Sequence, residues 1–550
     1  MAREVVSRHC PYFNTQRFRA GPRAPPGDGR EKALFIENHE RRESWPYPAL
    51  LPYSLKAYPI VQIAPRIGPQ APAQWPPPMD PKVARWREQT ASGTSLGNQI
   101  YLHVPFCPFI CGFCPLFKVK TAQERTADKR EVFTQALIRE IELYGSIPVV
   151  AKQRYNNIYF GGGTPTELSP EQLTRILNAL RTHLDITPDA EITLEGVAKQ
   201  MLGPEYLARC IEAGFNRISF GVESLDPKLR KRIGRGDSIS DYEATVALAR
   251  KLSPTMVVNA EVMAAMPEQT LEQVEFDVRE MIRWNLDSAD VFYYVMMPGT
   301  KLERLVTKGE RAEPRYGASM LKTRDLVRAL FNEAGYHPVT GEVFTRSDRD
   351  LFTHTSFGGG GNALNTVLAL GPSAFGAIDG TVYQNVCSLE QYFENIDAGK
   401  LPVHTATTMD LETAQRRAII LSVLRLELPD MLLTSYSQRR LVAKWSKQGL
   451  LRPVPGGHKL TERGLLWYNQ MQMELLPLSY LIKAAGSMFG AVEEKKAGDA
   501  QVNTQGYELM EMIRSHGPAG VWAYKGFQAL RKLPFFDSRP VGFTGTVEDT

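Results

Sequence analysis

Residues 101–118 read YLHVPFCPFICGFCPLFK, and this stretch decides how the rest of the chain is interpreted. It begins with strand-like residues and passes directly into three cysteines, Cys107, Cys111 and Cys114, with the spacing C-x3-C-x2-C. A cubane iron–sulfur cluster normally takes four thiolates. This motif offers three, so one iron would lack a protein ligand. A zinc site is the alternative, and its fourth ligand would have to be a residue such as the nearby His103.

An iron without a protein ligand can bind a small chelating molecule. S-adenosylmethionine (SAM) can chelate such an iron through its amino and carboxylate groups, and one electron from a [4Fe-4S] cluster can then cleave its sulfonium. The product is a 5′-deoxyadenosyl radical, which takes hydrogen from unactivated carbon. The motif therefore predicts a radical enzyme that uses a [4Fe-4S] cluster and SAM, with the three cysteines as its catalytic metal ligands.

From residue 99 onward, strand-like and helix-like segments alternate. The strand-like runs are QIYLHVPF, YNNIYF, EITLEGV, RISFGV, TMVVNAEVMAAM and ADVFYYVMM. Helices are predicted between them over 127–144, 170–184, 204–213, 241–252 and 271–285. Alternation at this spacing indicates an α/β fold with a parallel sheet, and six units suggest a partial (β/α)6 barrel. In parallel barrels the working residues lie at the carboxyl ends of the strands, where the cysteines also lie.

The flanking regions have a different composition. The first 95 residues are rich in proline and arginine, and the stretches GPRAPPGDGR and QWPPPMDPK exclude helix or central strand because proline removes a donor and fixes φ. We therefore expect an extended arm that packs on the main body. The predicted units are the arm over 1–95, the core barrel over 96–405, a mostly α winged-helix-like domain over 406–476, and a helical tail over 477–550 with helices near 505–516 and 521–533.

The overall composition is ordinary for a globular protein. Of 550 residues, 43% are hydrophobic and 23% are charged, and the formal net charge is +5. This small excess gives no reason to expect nucleic acid as a partner. Apolar runs fall well short of the roughly 20 residues of a membrane span, and residues 1–10 lack the apolar segment of a signal peptide. Three of six cysteines share one motif, which is typical of a reducing compartment. We expect a cytoplasmic monomer.

A second motif, IYFGGGTPTEL, follows one β/α unit after the cysteines and contains Gly161, Gly162 and Gly163. A glycine run after a strand can mark only a tight turn, but it can also provide a bare backbone edge for the amino-acid end of SAM. YLHVPFC-x3-CGFC and this run resemble the oxygen-independent coproporphyrinogen III oxidase family. That family includes heme chaperones, anaerobic heme-opening enzymes and class C radical SAM methyltransferases. The resemblance extends from about Tyr101 to His404, and more weakly through the winged-helix-like segment.

The resemblance implies binding sites for two SAM molecules. The residues implied for the first SAM are Tyr101, Gly162, Glu195 and Phe375. The residues implied for the second SAM are Phe113, Gly163, Thr164, Glu223, Arg235, Glu261 and Val295. Carboxylates suit this ligand because ribose hydroxyls are donors and the SAM amine is cationic. Each acid could instead be a salt-bridged strand end, although Glu261 lies in an apolar stretch where an unpartnered carboxylate is costly.

The chain departs from the family's pattern in two regions. Glu223 and Glu261 stand where the family commonly has glutamine and aspartate, and the segment between Phe344 and Leu370 lacks the recognisable stretch of the oxidase. The later GPSAFG segment (371–376) is retained. The missing oxidase stretch, together with the retained GPSAFG segment and the GxLPV-like ending over 399–403, favours C-methylation or cyclopropane formation on a small-molecule substrate, with the second SAM as the carbon donor.

Two alternatives remain open. One is oxidative decarboxylation of coproporphyrinogen III, whose carboxylates require a cationic pocket. The other is a heme-binding chaperone, which needs an axial ligand. Whether it transfers a carbon or decarboxylates a substrate, a radical SAM enzyme would need an electron donor such as flavodoxin or ferredoxin to reduce its cluster. Candidate carboxylate-binding residues in the arm, which more often form a solvated basic tail, are Arg17, Arg19, Arg23, Arg41 and Arg42. Candidate axial ligands are His354, His404 and His458.

Overall fold

The computed structural model describes residues 67–90, 97–121, 126–296, 300–312, 314, 317–346 and 365–476. The predicted helices near 505–516 and 521–533, the five arm arginines and His354 lie outside the described residues. In the parts of the chain that the structure describes, no helix is both long enough and apolar enough to cross a membrane.

Strands and helices alternate through most of these ranges. The strands are β1 (Asn98–Val104), β2 (Phe106–Cys107), β3 (Val119–Lys120), β4 (Arg154–Gly162), β5 (Asp185–Gly196), β6 (Arg217–Glu223), β7 (Val257–Ala264), β8 (Ser288–Tyr293), β9 (His337–Pro338), β10 (Val343–Thr345), β11 (Val367–Leu370), β12 (Phe375–Ile378), β13 (Thr381–Asn385), β14 (Val403–Thr408), β15 (Glu427–Pro429), β16 (Leu451–Val454) and β17 (Gly457–Leu460). The α-helices are α1 (Pro81–Thr90), α2 (Thr126–Gly145), α3 (Pro148–Ala151), α4 (Pro170–His183), α5 (Ala198–Met201), α6 (Tyr206–Ala213), α7 (Pro227–Ile233), α8 (Ile239–Leu252), α9 (Leu271–Arg283), α10 (Lys301–Thr307), α11 (Ala318–Glu333), α12 (Leu389–Asp397), α13 (Leu411–Leu424), α14 (Tyr436–Lys447) and α15 (Glu462–Glu474).

The principal sheet has the strand order β14-β13-β12-β11-β1-β4-β5-β6-β7-β8-β10-β9. The six strands predicted from the sequence are β1 and β4 to β8, and they pair in parallel. Helices α2, α4, α6, α8 and α9 occupy the predicted connections, so the α/β partial barrel is confirmed. The structure adds β11, which extends the parallel run beside β1. Antiparallel strands continue the sheet at both ends and leave the barrel open.

Strand β6 shows why the barrel has an apolar outer face and a polar interior. Successive side chains of a strand point to opposite faces. Ile218, Phe220 and Val222 therefore share one face and join an apolar core. Arg217 and Ser219 share the other face, are fully buried, and bond to polar side chains of neighbouring strands. The interior of the barrel is thus lined with groups that can carry chemistry.

The described part of the arm packs on the barrel, but it is not extended throughout. Trp75 is buried and packs edge-on against Tyr383, with ring centroids 5.3 Å apart. Helix α1 begins at Pro81, within a stretch for which the sequence excluded helix, and it buries Val83 and Trp86. That expectation was wrong because proline is tolerated at the first helical position, where its missing N–H would have no intrahelical partner.

The C-terminal described segment contains α13, β15, α14 and the β16–β17 hairpin. The sequence predicts two helices followed by a hairpin here, and the structure adds the strand β15 between the helices. Strands β15, β17 and β16 form its small sheet between the helices. The hairpin ends at Leu460, and Thr461 caps α15 by accepting a hydrogen bond from the amide of Gly464. Helix α15 packs against the barrel beside β10, where the Tyr468 hydroxyl donates to Glu342 at 3.1 Å.

Candidate active site

The carboxyl ends of the parallel strands meet at one edge of the barrel, and the predicted site residues lie along it. The cysteine loop follows β1 and β2, and the glycine run ends β4. Glu195 and Glu223 lie at the ends of β5 and β6, and Glu261 lies in β7 beside Gly221 of β6. Parallel pairing therefore brings together residues that are more than 150 positions apart in sequence.

The cysteine loop is anchored mainly through its backbone. The carbonyl of Cys107 accepts hydrogen bonds from both the amide and the hydroxyl of Thr121, at 2.9 and 3.0 Å. Farther along, the amide of Gly112 donates to the carbonyl of Ile233 at 2.8 Å, and its carbonyl accepts from the amide of Leu302 at 2.8 Å. The end of α7 and the start of α10 therefore hold the middle of the loop from two sides.

The donor set fits a cluster that leaves one iron for another ligand. His103 cannot readily serve as a fourth ligand because both ring nitrogens are engaged, Nε2 with the carbonyl of Phe117 at 2.9 Å and Nδ1 with the hydroxyl of Tyr101 at 3.2 Å. A carbonyl only accepts, so Nε2 carries the hydrogen, and burial lowers the pKa of His103 to about 4. In the described residues, no three His, Cys, Asp or Glu side chains form a group suited to one metal ion. A cubane differs from that case because each thiolate meets a different iron.

Cys107 is buried, and Cys111 and Cys114 are half-buried. Burial raises the pKa of Cys107 and of Cys111 to about 12. The Thr164 hydroxyl donates to the sulfur of Cys107 at 3.6 Å, which favours its thiolate. Iron binds thiolate rather than thiol, so metal ligation replaces the proton that burial otherwise retains.

The glycine run is required by packing against the cysteine strand. A Cβ on Gly163 would lie 2.7 Å from the carbonyl oxygens of both Val104 and Phe106. Gly162 has a φ of +105°, and a Cβ there would lie 2.5 Å from Nδ1 of His103. These close approaches explain two of the three glycines, whether or not SAM uses the same edge.

The three glutamates form a cluster of half-buried acids. Burial first, and then the charge of Glu261, raises the pKa of Glu195 well above its ordinary value. Burial also raises the pKa of Glu223 to about 7, although the nearby Arg235 acts in the opposite direction. Buried carboxylates that repel one another favour a ligand with hydrogen-bond donors or positive charge. The ribose hydroxyls and the amine of SAM are groups of this kind.

Arg235 lies between these acids and the cysteine loop. Its guanidinium bonds to Asp237 at 2.7 Å, lies 3.6 Å from the carboxylate of Glu223, and covers the ring of Phe109 at 4.8 Å. Asp237 also bonds to Arg230 at 2.8 Å. Asp237 was not among the residues predicted from the sequence. Its position two residues after Arg235 in RIGRGDS is the only sequence feature that suggests the pairing.

The backbone at Glu223 is unusual. Its φ of +63° lies in the left-handed region, and the pairing of β6 with β7 shifts register between Gly221 and Glu223. A bulge of this kind re-aims a side chain at the end of a strand. Such conformations are uncommon in residues other than glycine and tend to occur at functional sites.

Of the other predicted residues, Tyr101 and Phe113 lie against the cysteine loop. Tyr101 is buried in β1, and its pKa is raised by burial first and also by the charges of Glu195 and Cys114. Phe113 packs against an apolar cluster from α7, α10 and the ends of β7 and β8.

Val295 and Phe375 reach the same edge through their positions in the fold. Val295 lies two residues beyond β8, and Phe375 begins β12, which pairs with β11. The described contacts and charges thus connect the cysteine loop, Tyr101, Thr164, the three glutamates and Arg235, whereas Val295 and Phe375 are related to them only by strand position.

Comparisons with known proteins agree with this geometry. Residues 101–281 match the Radical SAM superfamily. The chain is 29% identical over 414 residues to anaerobilin synthase of Escherichia coli O157:H7, covering 73% of this chain and 89% of that protein. It is 27% identical over 411 residues to oxygen-independent coproporphyrinogen III oxidase of Escherichia coli K12, covering 71% and 86%. The solved structure of coproporphyrinogen III oxidase (HemN) from Escherichia coli superposes with a TM-score of 0.59 at 24% identity, over 70% of this chain and 91% of that one.

The barrel, the three-cysteine loop and the matched residues define a radical SAM enzyme, which uses a [4Fe-4S] cluster and SAM. Within that superfamily, the chain is similar to oxygen-independent coproporphyrinogen III oxidase and to anaerobilin synthase over more than 70% of its length. The relatives named above are an oxidase and a bilin synthase. They support the decarboxylation alternative better than the C-methylation that the sequence analysis favoured.

Proposed function

We propose that this enzyme takes a hydrogen atom from a tetrapyrrole that carries carboxylate side chains, as in coproporphyrinogen III oxidation. The observation that carries this proposal is the extent of the likeness to the oxidase, 411 residues and 86% of that protein. An aligned stretch of this length exceeds the core barrel, so it includes flanking segments that can cover a substrate. Removal of a hydrogen atom from a propionate side chain gives a carbon radical, and its loss of carbon dioxide with transfer of one electron to a one-electron acceptor would leave a vinyl group.

The chain's residues have distinct tasks in this proposal. The bound cluster and SAM supply the 5′-deoxyadenosyl radical. Cys107, Cys111 and Cys114 would each bind one iron of the cluster, and the half-buried Glu195 would accept hydrogen bonds from SAM. Arg235, fixed by Asp237, provides positive charge at the same edge.

We also propose that an acidic one-electron carrier such as flavodoxin or ferredoxin reduces the cluster, and that one copy of the chain is sufficient. Helices α7 and α10, which both bond to Gly112, have several exposed cationic residues. Positive charge beside the cluster loop favours an acidic partner. The exposed cations are Lys228, Lys231, Arg232, Lys301, Arg304 and Lys308.

The direct test uses anaerobically reconstituted enzyme, a reductant, SAM and coproporphyrinogen III labelled in its propionate carboxyls. We expect labelled carbon dioxide to form together with 5′-deoxyadenosine, one of each per decarboxylation. Cleavage of SAM without any labelled carbon dioxide would contradict the proposed substrate. Cys111→Ala provides the inactive control.

Methyl or methylene transfer is a second candidate because residues implied for a second SAM lie together. Thr164 bonds to Cys107, Glu223 lies 3.6 Å from Arg235, and the charge of Glu261 affects the neighbouring acids. Methyl-labelled SAM separates the candidates, since only transfer carries label into a product. An unlabelled product would rule out the transferase.

The chaperone alternative has little geometric support among the described histidines. His404 lies in β14, separated from β1 by three strands, and His458 lies in the hairpin of the winged-helix-like unit, 3.4 Å from Asp430. A stable heme complex that forms no 5′-deoxyadenosine under reducing conditions would favour the chaperone instead.

A further inference from the structure

A continuous line of hydrogen bonds crosses the barrel interior beneath the glutamates. It begins at Arg217 and passes through Ser288, Asn259 and Ser219 to Glu261. The distances are 3.5 Å from Arg217 Nη2 to Ser288 Oγ, 2.7 Å from Ser288 Oγ to Asn259 Oδ1, 2.9 Å from Asn259 Nδ2 to Ser219 Oγ, and 2.7 Å from Ser219 Oγ to Glu261 Oε1. The four residues that lead to Glu261 are fully buried.

The strand register explains how this line arises. Ser219, Asn259 and Ser288 are Cα partners on the adjacent strands β6, β7 and β8, so they form one row across the barrel. Arg217 lies two residues before Ser219, and Glu261 lies two residues after Asn259. Because residues two apart share a face of a strand, the row connects a cation below it to a carboxylate above it.

The direction of the hydrogen bonds is fixed by the number of hydrogens available. Ser219 has one hydroxyl hydrogen and donates it to Glu261, so it must accept from the amide of Asn259. The oxygen of Asn259 then accepts from Ser288, and Ser288 is left to accept from Arg217. Every donor therefore points from the guanidinium toward the carboxylate, and aligned hydrogen bonds of this kind strengthen one another in a low-dielectric interior.

We propose that Arg217, Ser288, Asn259 and Ser219 are positioning residues for Glu261. They hold one carboxylate oxygen in place and stabilise its ionised form, so Glu261 is oriented to accept a hydrogen bond before SAM binds. Preorganisation of this kind removes the cost of ordering the group when the ligand arrives. The proposal rests on the assignment of Glu261 to SAM binding, but it does not depend on the identity of the molecule from which hydrogen is taken.

The test is a double-mutant cycle on reconstituted enzyme, with the dissociation constant of SAM and the rate of 5′-deoxyadenosine formation measured without tetrapyrrole. Ser219→Ala removes a hydrogen bond to a charged group, so we expect SAM binding to weaken about tenfold. In a Glu261→Gln background, Ser219→Ala should change binding less than twofold. Ser219→Thr, which keeps the hydroxyl, should restore most of the affinity. Equal effects of Ser219→Ala in both backgrounds, or no recovery with Ser219→Thr, would overturn the proposal.

A matched control comes from Thr193 of β5, a fully buried residue whose hydroxyl has no hydrogen-bond partner among the described residues. Thr193→Val removes a buried interior hydroxyl that does not belong to the line of hydrogen bonds. It should leave SAM binding within twofold of the wild type. If Ser219→Ala does not fold with its cluster, Ser288→Ala tests the same line of hydrogen bonds at a residue two hydrogen bonds before Ser219. It should give a smaller loss of SAM affinity. An unchanged affinity in Ser288→Ala would also contradict the proposal. None of these measurements uses a tetrapyrrole, so failure of the proposed substrate leaves them interpretable.

Discussion

The site at the carboxyl ends of the parallel strands has two halves, and different kinds of interaction hold each half together. Around β1 and β4, backbone hydrogen bonds and glycines without room for a Cβ hold three cysteines in place. Along β5 to β8, half-buried acids, Arg235 and a line of buried polar side chains provide charge and hydrogen bonding. The first half therefore depends on shape. The second half should tolerate substitutions that preserve shape but respond to changes in charge and pH.

The largest effect is expected from Cys111→Ala. With two thiolates left, the cluster loses one of its three protein ligands. We expect loss of most of the bound iron and sulfide, and a fall of about 100-fold or more in 5′-deoxyadenosine formation. Cys210→Ala, which changes a buried thiol in α6, should retain the cluster. Full activity in Cys111→Ala would contradict the assignment of the loop.

The next largest effect concerns Glu140, which links α2 to the segment before Phe375. It accepts hydrogen bonds from the Tyr392 hydroxyl at 2.7 Å and the Gly371 amide at 2.8 Å. Burial nevertheless raises its pKa to about 7. A raised carboxyl pKa contributes stability that is fully present below the unfolded-state pKa and is lost as pH rises through about 7.

Glu140→Gln should remove that pH dependence. Relative to the mutant, the free energy of unfolding of the wild type should fall by about 3 kcal/mol between pH 4 and 8. Denaturant titrations at a series of pH values measure this difference, and the exposed Glu142→Gln on the same helix is the control. Parallel pH profiles for wild type and Glu140→Gln would exclude a titrating Glu140.

A smaller loss of stability is expected from Gly163→Ala. The added Cβ would meet two backbone oxygens that cannot move independently, and overpacking of this kind typically costs about 2 kcal/mol. Cluster content should fall with stability because the obstructed strand carries Cys107. Gly449→Ala introduces a side chain at a φ of +71° but has open space around it, so it should cost about 1 kcal/mol and keep the cluster. Equal cluster content in both variants would contradict the argument from shape.

The smallest effect concerns the charge of Glu223. Its pKa of about 7 means that the carboxylate forms as pH rises from 6 to 8. If the ionised form binds SAM, affinity should increase up to about tenfold over that range. Glu223→Gln keeps the shape and should give a flat profile. A wild-type profile that is flat would show that this acid does not control SAM binding.

The sequence predicted one half of this edge better than the other. The cysteines and glycines lie within short motifs, and the six parallel strands follow from local periodicity, so all of these could be predicted. Strand β11 could not, because its four residues become a parallel strand only beside β1. The helix that begins at Pro81 was not predicted, because proline is excluded from the interior of a helix but is tolerated at its first position.

By itself, the sequence determined the three thiolates, the missing fourth ligand, and the alternation that produces a parallel barrel. Those properties depend on residue type and short spacing. The tertiary structure decided that Glu195, Glu223 and Glu261 share one half-buried cluster, that Asp237 fixes Arg235, and that the donors beneath Glu261 point in one direction. These relations depend on register between strands and on a bulge at Glu223. Neither is a local property of the chain, because each exists only once separate segments have paired.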